Sequence, residues 1–293
     1  MKKFMVAATL AALATMPALA KVESPPPPPP APASNWAGCY AGVNGGIGWN
    51  KGNTHYNDPN TTTDPINFIP NVVPSSFIPA PSGTGGTGGL GGGGAGCNWQ
   101  NQQWVYGLEG DIDGGRIAGS QTNSVTAATA TVFGVNPVTG LSGLLGNPTG
   151  TASESTQLNW LSTIRGRIGL IVQDRLLLFA TGGLALGGVS SQGSVNVANS
   201  VVQVTWSGSH SAVNAGFAVG GGAEWALADR WTAKAEYLWY DLGNVSHLLN
   251  CASVSPLLFA SCNATPGPFA TLGNAVSSVH GSIVRVGINY KFN

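Results

Sequence analysis

The sequence predicts an all-β protein: an eight-stranded antiparallel up-and-down transmembrane β-barrel with long extracellular loops and short periplasmic turns. Three observations predict it: an alternating final segment, a scarcity of charged residues, and connections that alternate in length. In the final segment every second residue is apolar, and the last two of these are aromatic: Val284, Val286, Ile288, Tyr290 and Phe292. The residues between them are mostly polar, small or charged, as expected where one face of a strand meets lipid and the other meets a lumen.

Charge is scarce along the whole chain. Charged residues make up 8% of the sequence, about a third of the share in an ordinary globular protein. The surface therefore lacks the charge that normally keeps a soluble protein dispersed. After the N-terminal segment no apolar run reaches the length of a helical membrane span. The formal net charge of +0 gives no reason to expect a nucleic-acid partner.

The N-terminus has the pattern of an export signal. Residues 1–20 are predicted to be a signal peptide, because Lys2 and Lys3 precede an apolar core and residues 18–20, Ala-Leu-Ala, form a small-residue cleavage site. Residues 21–34 are predicted to be a periplasmic linker, since the unbroken prolines at 25–30 favour an extended polyproline II conformation. Residues 35–293 are assigned to the barrel.

Segments with a two-residue period define the strands. The eight candidates are residues 37–49, 89–100, 104–119, 156–172, 176–195, 213–227, 231–244 and 278–292. Each is long enough for a tilted membrane strand, which needs roughly nine to eleven residues.

The connections alternate between short and long. The three short ones are residues 101–103, 173–175 and 228–230; the four long ones are residues 50–88, 120–155, 196–212 and 245–277, rich in Gly, Asn, Ser, Thr and Pro. Short turns on one side and long loops on the other are typical of an outer-membrane barrel. A soluble β-sandwich also has short alternating strands, but it explains neither the export signal nor this regularity.

Strand parity separates a lipid face from a lumen face. The lipid face is predicted to include Trp104, Tyr106, Leu108 and Ile112; Leu158, Trp160, Ile164, Ile168 and Leu170; Phe217, Val219, Ala223, Trp225 and Leu227; and Trp231, Ala233, Ala235, Tyr237 and Trp239. Trp104, Trp225, Trp231 and Tyr290 lie beside predicted tight turns and are interpreted as an aromatic girdle. Burial of these rings in a core is the alternative.

The opposite face carries five acids and four bases: Glu109, Asp111, Asp113, Arg165, Arg167, Glu224, Lys234, Glu236 and Arg285. The interior of an eight-stranded barrel is only wide enough for side chains to fill it, so these charges must pair. We expect the three acids of residues 109–113 to pair with Arg165 and Arg167 as an ionic plug. A conducting path, an acid–base site or a Ca²⁺ site on the three carboxylates are alternatives, although no carbonyl-rich ligand loop supports a metal.

The four cysteines allow three disulfide connectivities. Cys39 begins the first predicted strand and Cys97 ends the second, at the same end of neighbouring antiparallel strands, whereas Cys251 and Cys262 share the last long loop. We predict the pairs Cys39–Cys97 and Cys251–Cys262, with free thiols as the alternative.

Catalytic motifs are missing from the sequence. The Gly-rich stretches at residues 91–96 and 220–222 lack the Gly-Lys-Ser/Thr of a phosphate loop, and neither a Gly-x-Ser-x-Gly nor a His-Glu-x-x-His motif occurs. No cofactor, metal or catalytic residue is predicted. His210, between Ser209 and Ser211, is kept as the one candidate for a catalytic pair at the outer rim.

Six segments resemble the alphaproteobacterial outer-membrane immunogenic proteins, a porin family of small OmpA-like barrels. They are NWAGCYAG at 35–42, WVYGLEGD at 104–111, IRGRIG at 164–169, AKAEY at 233–237, DLG at 241–243 and VGINYKF at 286–292. The resemblance implies a Gram-negative outer-membrane location and surface exposure, with antigenic or haem-binding relatives and no catalytic residues. It also implies that Phe292 is the signal for the barrel-assembly machinery, although Asn293 follows it here.

These observations lead to a functional prediction. We expect a structural outer-membrane barrel with a charge-paired lumen and no chemistry, whose surface-exposed loops act as antigens or bind ligands. The expected partners are outer-membrane lipid and, during biogenesis, the assembly machinery, and a monomer is expected. A narrow porin-like channel for small solutes is the first alternative, and a rim enzyme acting on lipid is the second.

Overall fold

The computed structural model describes residues 35–57, 83–126, 149–198, 203–254, 262 and 271–292. The predicted signal peptide and linker, most of the predicted loop 50–88, and Asn293 lie outside these residues. Nine strands are described: β1 (Gly38–Lys51), β2 (Thr54–Asn57), β3 (Gly86–Asn101), β4 (Trp104–Thr126), β5 (Thr149–Gln173), β6 (Leu176–Ala198), β7 (Gln203–Ala228), β8 (Trp231–Val254) and β9 (Thr271–Lys291). In the described ranges no helix is long and apolar enough to cross a membrane.

The sheet closes on itself. From β3 to β9 each strand pairs antiparallel with the next, and β1 pairs with both β3 and β9. The short strand β2 pairs with β9 just beyond the end of β1, so β1 and β2 together occupy one of eight positions around the barrel. The predicted eight-stranded antiparallel barrel is confirmed.

Register fixes the tilt of the strands. Register partners can be followed from strand to strand once around the barrel, and the path returns to β1 ten residues from its start (51 to 41). The path runs through Lys51, His280, Asp241, Phe217, Leu184, Ile164, Gly110, Ala95 and Ala41. With standard strand spacing and rise, a shift of this size over eight strands gives a tilt of roughly 40°. Such a barrel is narrow enough for side chains to fill it.

Three two-residue turns mark one end of the barrel, which is called the turn end below. They consist of Gln102 and Gln103, Asp174 and Arg175, and Asp229 and Arg230, and they confirm the three predicted short connections. Gln102 adopts a left-handed conformation with φ of 55°.

The strands extend much further from the turn end than predicted. The predicted long connection at residues 196–212 is wrong, because β6 and β7 pair through most of it and leave only residues 199–202 between them. Residues 120–126, 149–155, 245–254 and 271–277 are also strand rather than loop. The polar composition of these segments resembles a loop, yet they are strands whose outer faces carry Ser, Thr and Asn.

The assignment of Leu158 to the lipid face is wrong. The register of β5 against β6 shifts between Leu158 and Trp160, so that one additional residue interrupts the alternation. Leu158 is buried at 3% exposure in the barrel interior. Beyond this bulge the inward and outward residues of β5 exchange parity.

Two regions follow one another along the barrel. The turn-side section runs from the turn end to the level of Trp49, Trp160 and Trp239, and its outside is apolar, with Ile164, Val43 and Ile112 more than 60% exposed. The extension lies beyond that level and comprises β2 and residues 120–126, 149–157, 190–198, 203–212, 245–254 and 271–278. At roughly 3.3 Å per residue and a tilt near 40°, strands of this length make a barrel about 60 Å tall, twice the thickness of a hydrocarbon core.

Candidate functional site

The interior of the turn-side section contains all nine charged residues singled out from the sequence. They converge from five strands: β4 supplies Glu109, Asp111 and Asp113, β5 supplies Arg165 and Arg167, β7 supplies Glu224, β8 supplies Lys234 and Glu236, and β9 supplies Arg285. Their side chains are at most 5% exposed, apart from Lys234 at 11%. Alternation along each strand places these residues inside, as their parity predicted.

Arg165 lies at the centre of this ionic layer. Its Nη2 is 2.6 Å from both Glu109 Oε1 and Asp111 Oδ2, and its Nη1 is 2.7 Å from Glu236 Oε1. Its Nε donates to Thr163 Oγ1 at 2.8 Å. One fully buried guanidinium thus joins carboxylates of two strands that lie on different sides of β5.

Arg285 joins the same carboxylates from β9. Its Nη2 is 2.7 Å from both Asp111 Oδ2 and Glu236 Oε2, and its Nη1 pairs with Asp113. The expected pairing of Asp113 with the β5 arginines is therefore wrong. Asp113 lies two residues beyond Asp111 on β4, away from the turn end, and Arg285 reaches it from β9, on the other side of β1 and β3.

Arg167 and Lys234 complete the layer nearer the turn end. Arg167 Nη2 is 2.8 Å from Glu224 Oε2, while its Nη1 is 3.7 Å from Glu109 Oε2. The Arg167 guanidinium also lies over the ring of Phe179, 4.3 Å from its centroid. Lys234 Nζ is 3.0 Å from Glu109 Oε2 and 3.7 Å from Glu236 Oε2.

Neutral side chains also bind carboxylate oxygens of Glu109 and Glu224. Tyr40 donates to Glu109 Oε2 at 2.8 Å and accepts from Arg167 Nη1 at 3.0 Å. Thr232 and Asn289 donate to Glu224 Oε1 at 2.6 and 3.1 Å. Sequence reasoning did not find these three residues. Their inward parity was readable, but parity alone does not distinguish a hydrogen-bond partner from a space filler.

The inward glycines of β3 make room for this layer. A Cβ atom at Gly92 would lie 2.6 Å from Asp113 Oδ1, and one at Gly96 would lie 2.6 Å from the Tyr40 hydroxyl. Only glycine leaves enough space for both groups. The glycine-rich stretch at residues 91–96 is thus the wall against which the acids and Tyr40 pack.

Apolar side chains fill the interior on both sides of the charges. At the turn end Trp36, Val105 and Leu177 form a small buried cluster. On the other side is a larger cluster, which includes Ile117, Leu158, Leu161, Val189, Leu238, Tyr240, Leu242 and Ile283. Within the extension a third cluster surrounds Trp206, with Val195, Val204, Leu249 and Leu272.

A second polar group, missed by sequence reasoning, lies inside the extension. The Tyr56 hydroxyl donates to Glu154 Oε1 at 3.0 Å, His247 Nε2 is 3.8 Å from the same oxygen, and His247 Nδ1 is 3.3 Å from Ser191 Oγ. Burial raises the pKa of Glu154 to about 7 and lowers the pKa of His247. Glu154 was missed because residues 120–155 were predicted to be a loop.

This group has the residue types of a Ser-His-Glu catalytic triad, but its side chains are not accessible to solvent. Ser191, His247 and Glu154 are all at most 4% exposed. The predicted candidate His210 is exposed on the neighbouring strand β7. Ser211, its sequence neighbour, shares a hydrogen bond of 3.0 Å with Ser190 instead.

The four cysteines lie in the two predicted pairs. Cys39 and Cys97 are direct register partners on β1 and β3, with their sulfurs bonded, and Cys251 at the end of β8 is bonded to Cys262. The chain contains no other cysteine, so all four cysteines are in disulfide bonds.

Possible metal ligands do not cluster in the part of the chain that the structure describes. No group of three or more His, Cys, Asp or Glu residues there has the arrangement of a metal site. The three acids considered for Ca²⁺ contact Arg165 or Arg285 instead.

Sequence comparison agrees with this architecture. Residues 6–292 match the family model described as the outer membrane protein beta-barrel domain. The chain belongs to this family. Its members are outer-membrane barrels, so the chain is an outer-membrane protein that is associated with outer-membrane lipid.

Named relatives support the same location. The chain is 31% identical over 296 residues to the 31 kDa outer-membrane immunogenic protein of Brucella melitensis, with 99% of this chain and 100% of that protein covered. The protein of the same name from Brucella suis matches equally. The 22 kDa outer membrane protein of Rhizobium leguminosarum bv. viciae is 24% identical, with 55% of this chain and 56% of that protein covered.

Solved outer-membrane structures are more distant. The protease OmpT of Escherichia coli has a TM-score of 0.43 and 9% identity, with 90% of this chain and 99% of that chain covered. OprG of Pseudomonas aeruginosa has a TM-score of 0.36 and 9% identity, with 90% and 100% covered.

The predicted girdle residues of this outer-membrane barrel lie at the turn end. Trp104, Trp225 and Trp231 are 44–48% exposed, and the Trp231 and Tyr290 rings meet edge to face with centroids 5.0 Å apart. Phe292 packs on Tyr290 at 5.6 Å, and its N–H donates to the Cys39 carbonyl at 2.8 Å. Trp99, 58% exposed, belongs to the same ring of aromatics but was not predicted.

Proposed function

We propose that the protein is a closed outer-membrane barrel with a structural, surface-presenting role and no chemistry of its own. The observation that carries the proposal is the filled interior. The ionic layer and the apolar cluster above it lie one after the other along the axis, so a permeating ion would have to disrupt both. A narrow channel is disfavoured because every carboxylate of the layer contacts a cation and packed apolar side chains fill the interior beside the layer.

Pairing in the ionic layer supports a plug over a conducting path. Glu109, Asp111, Asp113, Glu224 and Glu236 each lie within 3 Å of a cation or contact one directly. Breaking one such buried pair costs roughly 3–5 kcal/mol. Charges that line a water-filled pore keep part of their hydration, whereas these are held by protein atoms.

The proposed orientation places the turn end in the periplasm and the extension outside the cell. A signal peptide at residues 1–20 and a linker at 21–34 would leave the start of β1 on the periplasmic side, next to the turns. Trp104, Trp225, Trp231 and Tyr290 would then form the inner aromatic girdle. We further propose that the assembly machinery recognises Phe292, that the barrel is monomeric, and that the outer loops act as antigens or bind ligands.

Ionic conductance in a planar lipid bilayer tests the closed barrel. The refolded chain from residue 21 to residue 293 is expected to leave the bilayer silent, with folding checked by its heat-modifiable mobility on a gel. An Arg175→Gln variant, altered only in an exposed turn, should be equally silent. Discrete current steps that grow with salt concentration from the folded wild type would overturn the proposal in favour of a channel.

A further inference from the structure

An apolar groove runs along the outside of β3. Its floor consists of the outward residues of that strand, Gly89, Gly91, Gly93 and Ala95. One wall is formed by Val43 and Ile47 of β1, which are 68% and 64% exposed, and the other by Leu108 and Ile112 of β4, which are 58% and 61% exposed.

Register makes the groove continuous. On one side, the floor residues pair in turn with Ile47, Gly45, Val43 and Ala41 of β1. On the other side, the last three floor residues pair with Gly114, Ile112 and Gly110 of β4. Standard spacings give walls about 9–10 Å apart and a floor of roughly 20 Å, the dimensions of an extended acyl chain. At the turn end the groove stops at Cys97, bonded to Cys39.

Each wall carries one exposed cation at the opposite end of the groove. Lys51 lies at the end of β1, two residues beyond Trp49, and Arg116 lies on β4, four residues beyond Ile112. Neither forms an ion pair with any residue in the described ranges. The exterior acid at this level, Asp241, is two strands from Lys51 on the side away from the groove.

These two cations differ from the others of the described barrel. Arg165, Arg167, Lys234 and Arg285 are inside, Arg175 and Arg230 are in turns, and Lys291 is at the turn end. Lys51 and Arg116 alone face outward near the level of the tryptophans, where a membrane protein meets lipid headgroups. Long cationic side chains at this depth extend toward anionic headgroups.

We propose that the β3 groove binds one acyl chain of an anionic outer-leaflet lipid, with its headgroup held between Lys51 and Arg116. The apolar walls match the chain, and the two cations match the negative charge. The inference rests on the proposed orientation, in which this end of the groove faces the outer leaflet. A neutral lipid would fill the groove without using the cations.

Native mass spectrometry of the full barrel tests the proposal, with phosphatidylglycerol and phosphatidylcholine of identical chains as probes in equal amounts. The wild type should retain phosphatidylglycerol with a preference of roughly thirtyfold, the size expected from two headgroup cations. The double variant Lys51→Gln with Arg116→Gln should lose this preference. The matched double variant Arg175→Gln with Arg230→Gln, which removes two cations at the turn end, should keep it.

A second variant tests the groove itself. Gly114→Leu fills it without a clash, because a Cβ there meets no atom within 4 Å, and it should reduce retention of both lipids. Ala215→Leu, outward and exposed on β7, should not. Three outcomes would overturn the proposal. The Lys51/Arg116 variant could keep the wild-type preference for phosphatidylglycerol, both double variants could lose that preference equally, or a second copy of the barrel could occupy the groove in place of lipid. Current through the wild-type barrel would overturn the closed barrel alone and leave this preference intact.

Discussion

The turn-side section and the extension use the same strands with opposite chemistry. In the turn-side section the charges are inside and the outside carries Ile164 and Val43, whereas in the extension Trp206 and Leu249 are inside. The outside of the extension carries pairs of hydroxyls across β4 and β5: Thr122 with Ser153 at 2.9 Å, Ser124 with Thr151 at 3.1 Å and Thr126 with Thr149 at 3.2 Å.

We infer from this difference that the surrounding medium decides which face of a strand is apolar. Neighbouring strands pair in both regions, apart from an interruption between β7 and β8 at residues 208–216, so backbone pairing does not account for the difference. In lipid the outer face must be apolar and the polar groups must pair inside. In water the ordinary arrangement returns, with an apolar core and a polar surface.

The largest expected effect comes from breaking the ionic layer. Arg165→Met leaves Glu109, Asp111 and Glu236 without their shared guanidinium, and we expect the free energy of unfolding to fall by about 4 kcal/mol. Urea titration in lipid vesicles, read by heat-modifiable mobility, measures it. Arg175→Met in an exposed turn is the control and should change stability by less than about 0.5 kcal/mol. Equal stability of both variants would mean that the charges do not hold the turn-side section together.

Truncating a core side chain of the extension should have the next largest effect on stability. Leu249 is fully buried and Leu248 is 44% exposed on the same strand. Leu249→Ala should destabilise the extension by about 3 kcal/mol through lost burial and a cavity, whereas Leu248→Ala should cost less than about 1 kcal/mol. Amide hydrogen exchange of the strand ends would record the difference. A larger effect at Leu248 would reverse the assigned inside and outside of the extension.

Protonation of Glu154 should make the extension sensitive to pH. Because its pKa is raised from 4.5 to about 7, the folded state binds the proton more tightly, and this stabilisation is complete below pH 4.5 and lost as the pH rises through about 7. We expect a loss of about 3 kcal/mol. The lowered pKa of His247, next to Ser191 and near His210, acts in the opposite sense below pH 6.5.

Comparison of the wild type with Glu154→Gln separates the effect of the Glu154 carboxyl on stability from the effect of the histidines. The stability advantage of the wild type over this variant, measured by hydrogen exchange between pH 4.5 and 8, should decrease steadily as the pH rises. A difference that stays constant over this range would show that Glu154 does not titrate there. Tyr56, whose hydroxyl donates to Glu154, should remain protonated throughout because its pKa is raised by burial.

The smallest expected effect concerns the outer surface of the extension. Thr122→Val removes one hydroxyl pair in water and should cost about 0.5 kcal/mol. The same urea titration measures it, with Ser124→Ala as a comparison on the same face. If Thr122→Val clearly stabilised the barrel, this surface would lie in lipid rather than in water.

The two-residue period made the turn-side section predictable. Charges at Glu109, Asp111 and Asp113, spaced by two on a strand whose other face is apolar, can only be placed together on the inside. The bulge near Leu158 left no comparable signal, because one additional residue changes the parity without changing composition. The partner of Asp113 was also unreadable, since Arg285 reaches it only through closure and tilt of the whole barrel.

The extension was missed for a different reason. Its outer residues are mostly Ser, Thr, Asn and Gln, which are also the residues of loops. Only a few inward residues, such as Val204, Trp206 and Glu154, separate them. Criteria for a membrane strand look for an apolar outer face, so a strand that leaves the membrane no longer meets them. The Tyr56, Glu154 and His247 group was lost with those strands.

Spin labels on the outer face test the central claim that the two regions meet different media. Single cysteines at Ile112 and Ile164 in the turn-side section, and at Thr122 and Ser211 in the extension, would carry nitroxides in a barrel reconstituted in vesicles, with the native disulfides left oxidised. The account predicts frequent collisions with oxygen and few with a water-soluble nickel reagent at the first two sites, and the reverse at the last two. The same collision pattern at all four sites would contradict it.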